Sequence, residues 1–371
     1  MKRRDFIRKA GLGALAAGSA ALAGCGDKEA QAPAGGGAGA SAKTFEWKMV
    51  TSWPKNFPGL GTGAEHLAKL ITEMSGGRIR VKVFGAGELV PALGVFDAVK
   101  DGVAQMGHSG AYYWKGKAAA AQFFSAVPFG LTAQEMNGWL FHGGGMELWE
   151  EVYAPFGLMP LAAGNTGVQM AGWFNHEINS LEDLQGLKMR IPGLGGEVLK
   201  RAGGTPVNIA GGELFTSLKS GAIDATEWVG PYNDLAFGLH KAADHYYYPG
   251  WHEPGTTLEC MVNREAFEAL PADLQSIVRN AARVTNADML AEYTARNNNA
   301  LQTLVDEHDV KVARLPDEVL ERLRNISDEV VAELAEEDPL ARKVFDSFRK
   351  FRDQANAWTD ISERAYIEAR G

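Results

Sequence analysis

The chain has 371 residues, of which 46% are hydrophobic and 22% are charged, so it is long enough to bury two cores of ordinary size. Its formal net charge of −9 argues against a general nucleic-acid binder. The two cysteines, Cys25 and Cys260, form no Cys-x-x-Cys or Cys/His cluster, which argues against a thiolate metal site.

Residues 1–25 predict an export signal and not a part of the fold. Arg3-Arg4 begins a twin-arginine signal, and a short apolar run follows from residue 10 to residue 23. The run ends in Gly24-Cys25, which resembles a lipoprotein processing box with Cys25 as the lipidated N-terminus; the alternative is an ordinary cleaved signal. Residues 26–43 are rich in Ala and Gly and predict a flexible tether. We therefore expect a periplasmic protein with Cys25 as a candidate membrane anchor.

The folded part begins at Phe45 with a strand-helix-strand unit. Residues 45–52 alternate as a strand does, residues 61–75 place apolar side chains on one helical face, and residues 79–84 form a second alternating strand. This order favours a parallel sheet with a right-handed crossover.

An internal repeat follows this unit. Gly87-Glu88-Leu89 precedes a short helix that is closed by Gly102, and Gly212-Glu213-Leu214 precedes a similar helix that is closed by Gly221. Each helix runs into a strand. The repeat suggests two α/β lobes of similar construction with a ligand-binding cleft and a hinge between them.

A strand arginine is the first candidate site residue. Residues 157–175 predict a strand that leaves the first lobe and enters the second, and residues 186–192 predict a short strand with Arg190 in its middle. The guanidinium stays charged at any working pH, so it needs an anionic partner. Two interpretations remain open, namely a pair with an internal carboxylate and a bidentate contact with the carboxylate of a ligand.

Two carboxylates lie in aromatic surroundings later in the chain. Glu227-Trp228 ends a predicted strand, where α/β lobes point side chains into a cleft, and Glu253 lies in a turn rich in proline and glycine. The simpler alternative for the first pair is a surface glutamate beside a core tryptophan. Together with Arg190, the two carboxylates fit a site for a small anion and a hard cation.

The C-terminal third is helical. Residues 274–305 predict a helix long enough to run along the backs of both lobes, and residues 317–336 and 338–369 predict two amphipathic helices. The last helix carries an apolar stripe that must pack either on its own lobe or on a second copy of the chain. The stripe consists of Val344, Phe345, Phe348, Phe351 and Trp358.

With these motifs the chain resembles the substrate-binding proteins of tripartite ATP-independent periplasmic (TRAP) transporters. The motifs that carry the resemblance are residues 187–192, residues 213–224 and Glu227-Trp228. It implies a two-lobed, periplasmic-binding-protein-like α/β fold with a long helix that spans both lobes and with extra C-terminal helices. We expect lobe I to comprise 44–165 and 253–292, lobe II to comprise 166–252 and 293–337, and 338–371 to form a C-terminal helix.

The resemblance also implies the site. Arg190 would bind the substrate carboxylate, and Tyr112 or Tyr113 would donate from the opposite wall. Sodium or calcium, and not zinc, would be held by oxygen atoms of Gln169, Glu227, Glu253 and the Trp228 carbonyl, with Gln169 and Trp228 also facing the substrate. Many family members have a second arginine where this chain has Gln169, and this departure points to the subgroup that binds 2-oxo or 2-hydroxy monocarboxylates.

The implied function is that of an extracytoplasmic solute receptor that delivers a pyruvate-like or lactate-like ligand to TRAP membrane permease subunits. Relatives in this subgroup dimerise through the C-terminal helix, which implies a homodimer. A sensory or scaffold lipoprotein with the same fold is an alternative. An enzyme is a second one, because His108-Ser109 or Asp224 with Glu227 would suggest a hydrolase, although the sequence has no G-x-S-x-G or H-E-x-x-H motif.

Overall fold

The computed structural model describes residues 43–371. The twin-arginine signal, Cys25 and nearly all of the expected tether lie outside the described residues. Within the described part, no helix combines the length and the apolar character that a membrane span requires.

Eleven strands form two sheets in the described part of the chain. In chain order they are β1 (Phe45–Thr51), β2 (Ile79–Phe84), β3 (Met106–Ser109), β4 (Leu158–Asn165), β5 (Gly172–Phe174), β6 (Lys188–Arg190), β7 (Thr205–Val207), β8 (Ala225–Thr226), β9 (His245–Tyr248), β10 (Thr257–Asn263) and β11 (Lys311–Arg314).

The first sheet has the order β2-β1-β3-β10-β4, and the second has the order β11-β9-β5-β8-β6-β7. Strand β1 is parallel to β2 and β3, as the strand-helix-strand unit predicts, whereas β10 is antiparallel to both of its neighbours. In the second sheet β6 is parallel to β7 and β8, and β5 is antiparallel to β8 and β9. Three segments, 166–171, 249–256 and 264–310, carry the chain from one sheet to the other.

Twelve α-helices cover the sheets in the same part of the chain. They are α1 (Leu60–Met74), α2 (Val95–Lys100), α3 (Ala133–His142), α4 (Gly145–Tyr153), α5 (Gly193–Arg201), α6 (Leu214–Lys219), α7 (Pro231–Phe237), α8 (Arg264–Glu268), α9 (Ala272–Asp306), α10 (Asp317–Glu337), α11 (Pro339–Thr359) and α12 (Ala365–Arg370). A 3₁₀ turn over Ala111–Trp114 follows β3.

Helix α9 confirms the prediction of a long helix shared by both halves. Its 35 residues span about 50 Å at the usual rise per residue. Leu274 and Val278 pack into the core of the first sheet with Met49, whereas Met289 and Tyr293 pack into a core that contains strand β5. The helix therefore contributes side chains to two different cores.

Both repeat units also form as predicted. Helix α2 is followed by Gly102 and α6 by Gly221, with φ angles of 75° and 73°, and each then leads towards a strand, β3 or β8. Glycine is favoured there because other residues rarely adopt this left-handed conformation. The strand of Arg190 is shorter than predicted, and Arg190 is its last residue and not its middle.

The C-terminal stripe divides into two parts. Val344, Phe345 and Phe348 are buried on the chain's own helices, where Phe348 lies edge-to-face with Trp139 at 5.2 Å between ring centroids. Of the two alternatives for the stripe, packing on the chain's own helices is the one that the structure shows for these three residues. Trp358 is 67% exposed, so only the end of the stripe lacks a contact surface within the described chain.

Candidate functional site

Two of the segments that cross between the sheets, 166–171 and 249–256, lie against each other at the candidate site. The backbone N–H of Gln169 donates to the backbone carbonyl of Glu253 at 3.2 Å, and the backbone N–H of Thr166 donates to the backbone carbonyl of Thr256 at 3.0 Å. At Gly250 a Cβ atom would lie 2.1 Å from the Gln169 carbonyl oxygen, so only glycine permits this approach. Gln169 and Glu253, which belong to different segments, are therefore held next to each other.

Strands β6 and β8 bring the arginine and the first carboxylate together. They are neighbours in the sheet, with Arg190 opposite Thr226, so Glu227 is the next residue beyond the paired position. The Arg190 Nη1 atom donates to Glu227 Oε1, and both side chains are 1% exposed. Of the two interpretations of Arg190, the internal ion pair is the one that the structure contains.

The rest of the guanidinium is also engaged. Nη2 donates to the Tyr113 hydroxyl at 3.0 Å, Nε donates to the Ile209 carbonyl at 3.3 Å, and the Trp228 ring lies 5.2 Å from Cζ. Burial acts to lower the pKa of Arg190, but the Glu227 carboxylate and the neighbouring tyrosines outweigh it and raise this pKa. Arg190 is therefore a permanent buried cation.

Glu253 is the second carboxylate of the site. Its Oε2 atom accepts hydrogen bonds from Gln169 Nε2 at 2.8 Å and from Thr256 Oγ1 at 2.6 Å. Burial, and then the nearby negative charge of Glu227, raise the pKa of Glu253 to about 8. The two carboxylates repel each other, and a bound cation would relieve that repulsion.

Aromatic side chains form the walls. Tyr112 and Tyr113 come from the 3₁₀ turn after β3, with ring centroids 4.7 Å apart, and burial is the main cause that raises the pKa of both hydroxyls. They stay neutral hydrogen-bond donors at neutral pH. Trp228 packs edge-to-face on Trp53 at 6.2 Å, and a Cβ at Gly211 would lie 2.3 Å from its ring.

Several buried polar atoms here have no hydrogen-bond partner. They include Gln169 Oε1 and both ring nitrogens of His252. Glu227, His252 and Glu253 each offer one atom within 4.8 Å of the others, the separation that ligands of one metal ion have. Two carboxylates and a free amide oxygen fit the hard cation that the sequence predicted. The role of the Trp228 carbonyl stays a prediction.

Two residues of this site, His252 and Thr256, were not predicted from the sequence. His252 directly precedes Glu253, and its Nε2 atom lies 3.5 Å from Glu227 Oε2. Thr256 supports Glu253 through its hydroxyl. His252 belongs to the turn rich in proline and glycine in which the sequence marked Glu253 alone, and Thr256 directly follows that turn.

His108 and Ser109, one of the two pairs that would suggest a hydrolase, are engaged elsewhere. Trp53 Nε1 donates to His108 Nδ1 at 2.8 Å, and His108 Nε2 lies 3.1 Å from the Ala163 carbonyl. Burial lowers the pKa of His108 to about 4. Ser109 Oγ is 2.6 Å from Ser52 Oγ. His108 therefore anchors core elements by both nitrogens.

The family profile of the bacterial extracellular solute-binding proteins, family 7, matches residues 49–338. The chain belongs to this family. The match spans both sheets, apart from the first four residues of β1, and all four residues of the predicted cation site. It confirms the resemblance to TRAP solute-binding proteins, and the two-sheet α/β fold agrees with it.

Close relatives extend this assignment. A Nostoc sp. protein named monocarboxylate 2-oxoacid-binding periplasmic protein is 43% identical over 99% of this chain and 98% of its own length. A TRAP periplasmic solute-binding protein from Pseudoalteromonas atlantica, with bound sodium and pyruvate, is 46% identical with a TM-score of 0.86, and the match covers 88% of this chain and 99% of that one.

A third relative is a TRAP solute-binding protein from Bordetella bronchiseptica. It is 36% identical with a TM-score of 0.87, and the match covers 88% of this chain and 97% of that one. It is described as a mixed-occupancy dimer with copurified calcium and picolinate in one site and an apo second site.

Proposed function

We propose that this chain is the solute receptor of a TRAP transporter and binds a small 2-oxo or 2-hydroxy monocarboxylate together with sodium or calcium. The observation that carries the proposal is a buried arginine beside two buried carboxylates and the unpartnered Gln169 Oε1 atom. The pyruvate-bound and picolinate-bound relatives support it. The receptor delivers its ligand unchanged to the TRAP permease subunits.

Arg190 and the cation both bind the solute. The guanidinium binds the solute carboxylate, and the cation, held by Glu227, Gln169 Oε1 and Glu253, supplies a second positive charge to the same solute. The cation contacts both the carboxylate of the solute and the oxygen atom next to that carboxylate. This favours solutes in which two metal-binding atoms are adjacent. Tyr112 and Tyr113 close the opposite wall and exclude water, which strengthens these contacts.

The ligand class follows from this chelate. Pyruvate has a keto oxygen and picolinate a ring nitrogen next to the carboxylate, so both can bind one cation through two atoms. Lactate has the same arrangement with a hydroxyl. A monocarboxylate without a second donor beside it offers the cation one contact fewer and should bind more weakly.

Calorimetry on metal-depleted protein tests this function. Pyruvate should bind after calcium or sodium is restored, and propionate, which lacks the keto oxygen, should bind at least ~10-fold more weakly. Glu227→Gln should lose the response to the cation, whereas Glu333→Gln, at a surface ion pair, should keep it. Tight pyruvate binding in chelated, sodium-free buffer would show that the cation has no part in the site.

The chain end supports a homodimer, which we propose forms through the C-terminal helices. Four apolar side chains beyond the packed part of α11 lack cover in the described chain, namely Trp358 (67% exposed), Ile361 (74%), Tyr366 (67%) and Ile367 (54%). Such a group favours association. The Bordetella bronchiseptica relative is described as a dimer.

The remaining sequence-based expectations belong to the same proposal. Arg3-Arg4 directs export by the twin-arginine route, and Cys25 is the candidate lipid anchor. Residues 44–165 with 253–292 move as lobe I, and residues 166–252 with 293–337 move as lobe II. Two of these boundaries fall at the segments 166–171 and 249–256, and the third falls within α9. A solute site between the lobes would therefore lie beside the first two boundaries. No covalent step is required of any residue in it.

A further inference from the structure

His252 is the one buried residue of the site that sodium or calcium binding leaves without a role. Its side chain is 1% exposed, and neither ring nitrogen has a hydrogen-bond partner. A Cβ at Gly195 would lie 2.9 Å from His252 Cβ, so a glycine in α5 makes room for it. A buried imidazole without a partner is costly, because it has lost its hydrogen bonds to water.

The position of the ring relative to the carboxylates suggests what it does. Arg190 engages Oε1 of Glu227, and this leaves Oε2 as the oxygen that faces His252 Nε2 at 3.5 Å. An atom of Glu253 completes a set within 4.8 Å. Among the residues that the structure describes, this is the one group of three or more such side chains with this spacing.

Sodium and calcium do not explain the histidine, because hard cations take oxygen ligands. Imidazole nitrogen is instead a preferred ligand of borderline divalent metals such as zinc and cobalt. One carboxylate oxygen from each glutamate and one imidazole nitrogen make a three-ligand set. The remaining positions around the metal would be free for Gln169 or for a solute.

We propose that the solute site also binds a borderline divalent metal ion of the zinc class, through Glu227, His252 and Glu253, and that His252 sets the preference between this class and calcium. The inference rests on the same cation position as the proposed function. It adds a nitrogen ligand to that position. The incoming solute carboxylate then meets a stronger Lewis acid than calcium.

Metal titrations without solute test the proposal. The mature protein is depleted of metal and titrated by calorimetry with Zn²⁺ and, separately, with Ca²⁺, and Co²⁺ is added as a visible-absorption probe. In His252→Gln the ratio of Zn²⁺ affinity to Ca²⁺ affinity should fall at least ~10-fold, as expected when a metal contact is removed. In His66→Gln, a partly exposed histidine outside the site, the ratio should match the wild type.

A measurement on the wild-type protein tests the proposal even if the His252→Gln variant does not fold. With ¹⁵N-labelled histidine, Zn²⁺ should shift the ring nitrogens of one buried histidine strongly, and Ca²⁺ should not produce that shift. An unchanged affinity ratio in His252→Gln, or a zinc complex in which no histidine signal moves, would overturn the inference.

The proposed function and this inference can fail separately. Pyruvate binding with calcium but no zinc contact from His252 would refute the inference and leave the receptor function in place. Zinc binding through His252 without any cation-dependent pyruvate binding would refute the receptor function and leave the metal site.

Discussion

Arg190 shows how a planar side chain organises a site. Its three nitrogens reach three different elements, through the Glu227 carboxylate, the Tyr113 hydroxyl and the Ile209 carbonyl. A lysine carries the same charge on a single nitrogen, so it cannot satisfy these partners from one position. The arginine is therefore needed for its shape as much as for its charge.

We expect Arg190→Lys to lower solute affinity by roughly 2 kcal/mol or more, because a desolvated carboxylate loses its planar partner. Calorimetry with pyruvate and calcium measures this loss. Arg201→Lys is the matched control, since Arg201 pairs with Glu333 at the surface. Equal affinities for Arg190→Lys and the wild type would remove Arg190 from the solute contact.

Glu259 links protein stability to pH at a position away from the solute site. Its carboxylate accepts from the Trp114 indole and the Tyr153 hydroxyl in the core of the first sheet. Burial is the main cause that raises its pKa from 4.5 to about 7. The folded protein therefore binds a proton more tightly than the unfolded chain does.

The sign follows from this difference. Because the folded pKa is the higher one, the stability from Glu259 is complete below about pH 4.5 and is lost as the pH rises through about 7. The difference in pKa corresponds to a change in the free energy of unfolding on the order of 3 kcal/mol. We expect Glu259→Gln to flatten the pH dependence of the free energy of unfolding in this window, as denaturant titrations would measure. A slope equal to that of the wild type would contradict the assignment.

At the scale of elements, helix α7 fixes the end of strand β8. The Asp234 carboxylate in α7 accepts from the backbone amides of Val229 at 3.3 Å and Gly230 at 3.2 Å, directly after Glu227-Trp228. Its other oxygen accepts from the Trp173 indole and the Tyr246 hydroxyl. Asp234 is therefore a positioning residue for the loop that carries Glu227.

We expect Asp234→Asn to lower the free energy of unfolding by about 2 kcal/mol, because an amide group cannot accept from all four donors. Calcium affinity, measured well below the melting temperature of both proteins, should fall as well, since the loop after β8 loses its anchor. Asp317→Asn, at an exposed residue, is the control. A destabilised variant with wild-type calcium affinity would mean that Asp234 serves only the fold.

The elements could be predicted because their signals are local. Helix α9 has a long apolar pattern with few breakers, and β2 alternates over its whole length. The partner of Arg190 could not be predicted, because it depends on β6 and β8 becoming neighbours although 34 residues separate them. His252 was missed because the sequence does not show which side chains of a tight turn point inwards.

At the scale of the whole molecule, the proposed dimer depends on the uncovered chain end. The double variant Trp358→Ser with Ile361→Ser removes the first two exposed apolar side chains and leaves the buried part of α11 intact. We expect the wild type to be a dimer by light scattering at tens of micromolar and the double variant to be a monomer. Val103→Ser, at another exposed apolar position, should stay dimeric.

A monomeric wild type at that concentration would refute the dimer. Solute affinity should be retained in the double variant, because Arg190 and Glu227 lie in a different part of the chain. Loss of affinity together with loss of the dimer would instead mean that each solute site depends on the second copy.

The ion pair between Arg190 and Glu227 has a consequence for how a solute leaves the site. Arg190 is already paired with the Glu227 carboxylate, so under the proposed function a solute carboxylate would displace Glu227 from the guanidinium, and Glu227 would return when the solute leaves. Net affinity is then the small difference between two similar contacts and not the full strength of one. Under the proposed function, this exchange would keep the solute affinity moderate and so favour release of the solute to the permease.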